Sequence, residues 1–366
     1  MKIGILTFHT PINYGAVLQA YALQKYLRSS YPNFDIANID FKTDEHIKRY
    51  RIWLPLRKNI IRYLFDQTCV LLRYKALKER KDRFRKFVNE EFNLTQRVES
   101  QNKLLSQTPI KDVYIVGSDQ VFHPSSPYFR AYYLDFEKNK SKKIGYAPSF
   151  GISEFTEEIK YKITPLLKDF DSLSCREEDG ANFIQQITGK STPMVVDPIF
   201  LLSEKEWSEI AIKPSINEKY IFIYDLNGGD NLVTIAKEIK RHTGLKIICQ
   251  TQSASKFYRI DHQFFDSGPK EFIGLLMNAE YVVTDSFHGT AFSILFNKPQ
   301  YIYIAKPKAS TRIYSLMNML GLKERIINYN CSNNFKFKDS STLTDYTQKL
   351  NEQITNSKRY LIDSIS

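Results

Sequence analysis

Short apolar runs rich in β-branched residues recur along this chain, and between them the apolar positions space out at three and four. The first kind predicts buried strands and the second predicts helices packed on them. Residues 2–8, 34–40, 113–116, 143–147, 172–175 and 193–198 read as strands, and 16–27, 156–167 and 181–187 as helices. A polar, proline-containing stretch at 203–217 reads as a linker. The alternation then restarts, with strands over 220–224, 246–249, 281–283 and 300–304 and helices over 231–243, 270–277, 289–296 and about 313–320. Strand–helix alternation twice over predicts an α/β protein of two doubly wound Rossmann-like domains, 1–202 and 203–340. A final helix over about 342–362, within 341–366, is expected to pack back across the domain junction. Residues 42–105 interrupt the first domain with two or three predicted helices, a helical insertion.

Strand exits carry the polar groups. The most informative runs Tyr281-Val-Val-Thr-Asp-Ser-Phe-His-Gly-Thr290, a strand turning directly into a helix. At such a turn the free N–H groups and the dipole of the helix N-terminus favour an anionic ligand. His288 sits there, followed by Gly289, which lets backbone approach a ligand. The same residues also suit a plain helix start, with Asp285 or Ser286 as cap and His288 bonded to a neighbour. Gly117-Ser-Asp-Gln120 and Pro148-Ser-Phe-Gly151 are two more polar exits, and Arg176 ends another strand. A guanidinium there is suited to clamp phosphate or carboxylate, or to pair with Glu177, Glu178 or Asp179. The first strand leads through His9-Thr-Pro-Ile-Asn-Tyr-Gly15 into a helix without G-x-G-x-x-G, which argues against a nicotinamide or flavin enzyme. His9, Asn13 and Tyr14 are candidates for the cleft lining, or for a turn satisfied by backbone.

Charge narrows the partners. The net charge is +12, and residues 42–86 hold 15 Lys or Arg against 5 Asp or Glu. Aromatic and aliphatic residues are interleaved with these charges, which suits docking on an anionic membrane face, or else a helical subdomain with a solvated basic face. Nucleic acid is disfavoured because no binding motif accompanies the charge. Four scattered cysteines, without CxxC spacing, indicate neither a zinc site nor a disulfide framework. The opening apolar run is too short for a signal peptide, and no segment approaches the ~20 apolar residues of a spanning helix. The expected location is the cytoplasm, with the basic segment a candidate contact for the inner face of the membrane.

Asn13-Tyr-Gly-Ala-Val-Leu-Gln-Ala-Tyr-Ala22, Gly117-Ser-Asp-Gln-Val-Phe122, Ser149-Phe-Gly151, Ser174-Cys-Arg-Glu-Glu-Asp-Gly180, Val196-Asp-Pro198, Thr284-Asp-Ser-Phe-His-Gly-Thr290 and Lys298-Pro299 together resemble the polysaccharide pyruvyl transferase family, in order over nearly the whole chain. The resemblance implies a GT-B-like architecture, with phosphoenolpyruvate as donor and co-substrate and a pair of sugar hydroxyls as acceptor, the sugar being lipid-linked in one version. The product would be a pyruvate ketal on a cell-surface polysaccharide precursor. It implies no metal and no further cofactor. It assigns acid–base work to His288 and Asp119, donor binding to Arg176, Ser286, Gly289, Thr290 and Arg312, and acceptor binding to Asn13, Tyr14, Ser118, Gln120 and Ser149. Where the family tends to have Arg-Leu-His-Gly this chain has Ser286-Phe-His-Gly289, so one donor-binding arginine is missing, for which Lys306, Lys308 or Arg312 are candidate substitutes. Two rivals stand beside this reading: a GT-B-type glycosyltransferase using a nucleotide sugar, and a noncatalytic scaffold in glycan assembly.

Overall fold

The computed structural model describes residues 1–53, 59–137, 141–305, 310–328, 335–337 and 346–366. The N-terminal sheet contains β1 (Lys2–Leu6), β2 (Asp35–Asn38), β3 (Val113–Val116), β4 (Lys142–Gly145) and β5 (Ser172–Leu173), all parallel, in the order β2-β1-β3-β4-β5. The C-terminal sheet contains β6 (Tyr220–Asp225), β7 (Lys246–Thr251), β8 (His262–Phe264), β9 (Tyr281–Thr284), β10 (Gln300–Ile304) and β11 (Ile326–Asn328), also parallel, in the order β11-β10-β9-β6-β7-β8.

The helices of the first half are α1 (Tyr14–Ser30), α2 (Asp44–Arg49), α3 (Ile60–Leu72), α4 (Tyr74–Glu91), α5 (Leu104–Gln107), α6 (Phe129–Tyr132), α7 (Glu157–Lys168) and α8 (Glu178–Thr188). Those of the second are α9 (Glu204–Ile210), α10 (Asp230–Thr243), α11 (Pro269–Met277), α12 (Phe287–Leu295), α13 (Thr311–Leu320) and α14 (Thr347–Ile365). Helices cover both faces of each sheet, which is why the central strands are apolar throughout: Ile3, Ile5, Leu6, Ile221, Phe222 and Ile223 are all fully buried.

The strand orders fix where a ligand can sit. In the first sheet the chain steps from β1 to β2 and then returns to the other side of β1 with β3; in the second it runs β6, β7, β8 and returns to the other side of β6 with β9. Each reversal opens a crevice at the carboxyl ends of the two strands it separates. The crevices β1/β3 and β6/β9 face each other across one cleft.

Three differences from the sequence expectation have physical causes. Residues 193–198 are not a strand: only Met194 pairs, with Cys175, and Pro193 and Pro198 remove ladder donors at both ends. A 3₁₀ turn (Pro198–Leu201) follows, capped by Asp197. The stretch expected as a linker contains α9, started by a Ser203/Glu206 capping box and anchored by the fully buried Trp207. β8 and β11 are three-residue edge strands, too short to show a period.

The insertion and α14 tie the two sheets together. Phe84 and Phe87 of α4 enter one core with Tyr14 and Tyr21 of α1 and Phe222 and Phe272 of the second half. From the same helix Arg80 donates to the carbonyls of Thr251 and Gln252 at 3.2 and 3.3 Å, and Arg83 to that of Asp266 at 3.2 Å. Part of the basic excess is therefore directed at the second sheet's carbonyl ends, not at solvent. Just before α14, Tyr346 donates to Ile294 O at 2.9 Å, while on the helix Ser357 accepts from Val196 N and Tyr360 donates to Gly145 O, each at 2.9 Å.

Candidate active site

The cleft holds about 1100 Å³. From the first sheet it is lined by Thr7, Phe8 and His9 after β1 and by Asp119 and Gln120 after β3; from the second by Leu226 and Asn227 after β6 and by Asp285 to His288 after β9. Arg312, in the first turn of α13, closes one side.

The turn after β9 is built from its own hydroxyls. Ser286 caps α12, its Oγ accepting from Gly289 N at 3.2 Å, and the Thr290 hydroxyl donates back to Ser286 O at 2.9 Å. Thr284 Oγ1 donates to Tyr224 O at 2.8 Å and accepts from Ser286 N at 3.1 Å, locking β9 to β6. A side chain at Gly289 would come within 2.6 Å of that hydroxyl, so glycine here serves the close packing of helix on strand. Of the three residues expected to bind donor in this turn, Ser286 lines the cleft, whereas Gly289 and Thr290 are buried and their polar groups are spent inside the turn. Asp285, which sequence reasoning left as a cap candidate, reaches across to accept from Leu226 N at 2.8 Å and Asn227 N at 2.6 Å. Burial raises its carboxyl above the usual range, against the pull of those two N–H groups.

His288 stands at the meeting point of the two halves. A Cβ placed on Gly15, in the first turn of α1, would sit 2.0 Å from His288 Nδ1, so the ring lies directly on glycine backbone of the other domain. On its other edge Nε2 is 3.5 Å from Asp197 Oδ2, an ion-pair distance without a hydrogen bond. Asp197 Oδ2 also accepts from Arg176 Nη1 at 2.5 Å and Ser118 Oγ at 3.1 Å, and Oδ1 accepts from Ile199 N at 3.1 Å. Burial opposes the charge on Asp197, but His288, Arg176 and the Ile199 N–H outweigh it and hold the carboxyl well below the usual carboxylate range. Sequence reasoning assigned Asp197 no role; the Val196-Asp-Pro198 motif was the signal that pointed to it.

Arg176 lies beneath the cleft floor. Its guanidinium packs 4.3 Å from the centre of the Phe287 ring, with Nη2 3.6 Å from Asp119 Oδ1. Arg312 lies farther out on the same ring at 5.9 Å, with Nη1 3.8 Å from Asp119. Asp119 itself is held at φ +75°, a left-handed backbone that costs a non-glycine residue about 1–3 kcal/mol. Its carboxylate accepts from Gln120 N at 2.8 Å, so the strained turn fixes its direction toward the two arginines. Ser149 and the buried Glu177 form a separate pair: the serine donates to Glu177 Oε1 at 2.9 Å, and burial raises that carboxyl despite Arg176 and Arg312 nearby.

The expected acceptor residues therefore divide. Asn13, which caps α1, and Gln120 line the cleft; Ser118 and Ser149 are fully buried braces for Asp197 and Glu177. Tyr14 turns away altogether, stacked on Phe272 at 4.4 Å and donating to Ser267 O at 2.7 Å, because the second domain supplies an aromatic shelf that the sequence of α1 cannot show. Tyr14→Phe is expected to lose about 1–3 kcal/mol of stability by orphaning a buried carbonyl while leaving substrate affinity unchanged, which urea unfolding and steady-state kinetics check. Lys306 and Lys308, candidate substitutes for the missing arginine, lie outside the described residues.

The site also includes a histidine–aspartate pair: His9 Nε2 is 3.0 Å from Asp40 Oδ1 and Nδ1 is 3.2 Å from Thr7 O, so both ring nitrogens face acceptors. Around His288 the opposite holds. Arg176 Nε and Nη2, Arg312 Nε and His288 Nε2 are buried without a hydrogen-bond partner. These side chains stand within ion-pair distance of Asp119 or Asp197, and of the three Arg312 and His288 line the cleft, beside the N-terminus of α12.

Two parallel-sheet α/β domains with a polar cleft between their switch points define a GT-B-like protein. Similar folds include UDP-N-acetylglucosamine 2-epimerase from Rickettsia bellii, 9% identical over 99% of this chain and 96% of that one with a TM-score of 0.51. A glycosyltransferase from Streptomyces sp. SF2575, complexed with thymidine diphosphate, is 10% identical over 100% of both chains with a TM-score of 0.50. At such identities the likeness concerns the fold alone. A comparison with curated proteins finds no match. The family model described as polysaccharide pyruvyl transferase matches residues 13–307, and the chain belongs to that family.

Proposed function

We propose that the protein transfers a pyruvyl group from phosphoenolpyruvate to two hydroxyls of a sugar in a cell-surface polysaccharide precursor, forming a pyruvate ketal. The observation that carries this reading is the pair Arg312 and His288 lining the cleft at the start of α12, with Arg176 packed beneath them, in a chain of this family. Phosphoenolpyruvate presents a phosphate and a carboxylate, and such a site meets both. The reaction needs a proton delivered to the enol carbon, making a carbon centre that one hydroxyl attacks; phosphate then leaves and the second hydroxyl adds. Of the two hydroxyl protons released, one balances the new methyl group and the other leaves with phosphate.

His288 is suited to move a proton at Nε2, which faces Asp197 Oδ2 at 3.5 Å while Gly15 fixes the plane of the ring. Asp119, aimed by its strained turn, is suited to accept a hydroxyl proton at the rim. Arg312 takes the donor-binding role in place of the arginine replaced by Ser286. Arg176 serves it indirectly, by holding Asp197 and Asp119 in place.

Thermal unfolding with phosphoenolpyruvate tests the donor. At ~100 times its dissociation constant a native-state ligand adds about 2.7 kcal/mol. The shift is expected in the parent and lost in Arg312→Ala, a partly exposed position whose truncation spares the fold. A shift with nucleotide sugars and none with phosphoenolpyruvate would replace this reading with a glycosyltransferase.

A further inference from the structure

We infer that α3 is an in-plane anchor that docks the protein on an anionic lipid bilayer. Helices normally turn their apolar stripe inward, and α3 does the reverse. Ile60, Ile61, Leu64, Phe65, Leu71 and Leu72 all lie at least half exposed, Ile61 and Leu72 at 79%, while Asp66 is buried and paired with Arg62 at 3.3 Å. At 100° per residue the six exposed side chains fall on one arc of about 140°, an apolar face in which Thr68 is the one polar side chain. Exposed clusters of this kind mark interaction surfaces. Beside it Trp53 and Tyr74, also exposed, stack at 5.8 Å, the residue types that suit the boundary between headgroups and acyl chains.

Charge selects the occupant. Arg51, Arg62, Lys75 and Lys78 flank the face and are exposed, within the stretch 42–86 that carries 15 basic against 5 acidic residues. A second copy of the chain would bring an identical positive field against it, whereas an anionic bilayer removes the repulsion and adds attraction. This assigns the basic segment more narrowly than its sequence does, since Arg80 and Arg83 of α4 are committed to the second domain. With 13 residues α3 spans about 20 Å, too short to cross a bilayer core of about 30 Å, so it lies along the surface. No helix among the described residues is long and apolar enough to cross a membrane. The same insertion supplies Glu45 and Tyr50 to the cleft wall. The docking does not depend on the proposed reaction.

Sedimentation of the full chain with vesicles tests this without reference to activity. Binding is expected to phosphatidylcholine vesicles containing phosphatidylglycerol, weaker at high salt, and reduced at least about tenfold in Ile61→Glu/Leu64→Glu/Leu72→Glu and in Lys75→Glu/Lys78→Glu. All five positions are exposed, so the fold is retained and circular dichroism verifies it. No binding to these vesicles, or binding that the triple variant leaves intact, overturns the inference. A dimer in gel filtration that the triple variant converts to monomer, with no vesicle binding, would assign the face to a second copy instead.

Discussion

Asp197→Ala is expected to lower stability by about 3–5 kcal/mol and to abolish turnover. Removing one partner of a buried ion pair leaves the other charge stranded, and here the stranded group is Arg176, 1% exposed and hydrogen-bonded to Asp197 at 2.5 Å. The same change removes the acceptor of Ser118 and the only carboxylate within 4 Å of His288 among the described residues. Urea unfolding measures the first effect. Asp197→Ala combined with Arg176→Met should recover much of the stability, because no unpaired charge remains, yet stay inactive. A stable and active Asp197→Ala would show that neither the arginine nor the imidazole depends on this carboxylate. The pH dependence has a definite sign. The folded-state carboxyl is shifted below its unfolded value of 3.8, so its contribution is fully present above that value and lost as pH falls through the lower, folded one. Acid unfolding of the parent should therefore be steeper below pH ~4 than that of the double variant. Glu177, raised by burial, works in the opposite direction and is common to both proteins.

Gly15→Ala is expected to reduce kcat/KM by about 100-fold while costing only about 1–3 kcal/mol in stability. The new methyl carbon would stand 2.0 Å from His288 Nδ1 and 2.2 Å from Cγ, inside any possible contact, so the ring must move or the domains must part. Alanine is otherwise a better helix residue than glycine, which limits the loss of stability. A rate loss far larger than the stability loss would locate the effect at the imidazole. Full activity in Gly15→Ala would mean that His288 does no chemistry in its present position.

Some of this site was legible in the chain and some was not. The turn after β9 announced itself, because the period changes from strand to helix where Thr284, Asp285, Ser286, His288 and Gly289 are strung together, and caps and glycines obey local rules. Asp119 was legible for the same reason, as the polar exit of an apolar strand. Ser118, Ser149 and Thr290 carry the same chemistry in sequence and yet face inward, since one residue's rotation about a turn separates a cleft residue from a brace. Tyr14 looked like a cleft tyrosine until Phe272 and Ser267 of the other domain claimed it. The basic segment stood in sequence between two alternatives, membrane docking and a helical subdomain with a solvated basic face, and only the inward packing of Asp66, Cys69 and Val70 shows that the apolar stripe of α3 points out.

The sequence by itself determined the two doubly wound domains, the helical insertion and the strand-end positions where chemistry is carried, because strand and helix periods, caps and exits are set within a few residues of one another. The tertiary structure alone decided that Asp197 supports His288, that Gly15 forms the surface beneath it, and that Arg176 is a brace where Arg312 faces the cleft. Those pairings join segments far apart in the chain. They depend on which faces of two separately formed sheets meet, and no local pattern records that.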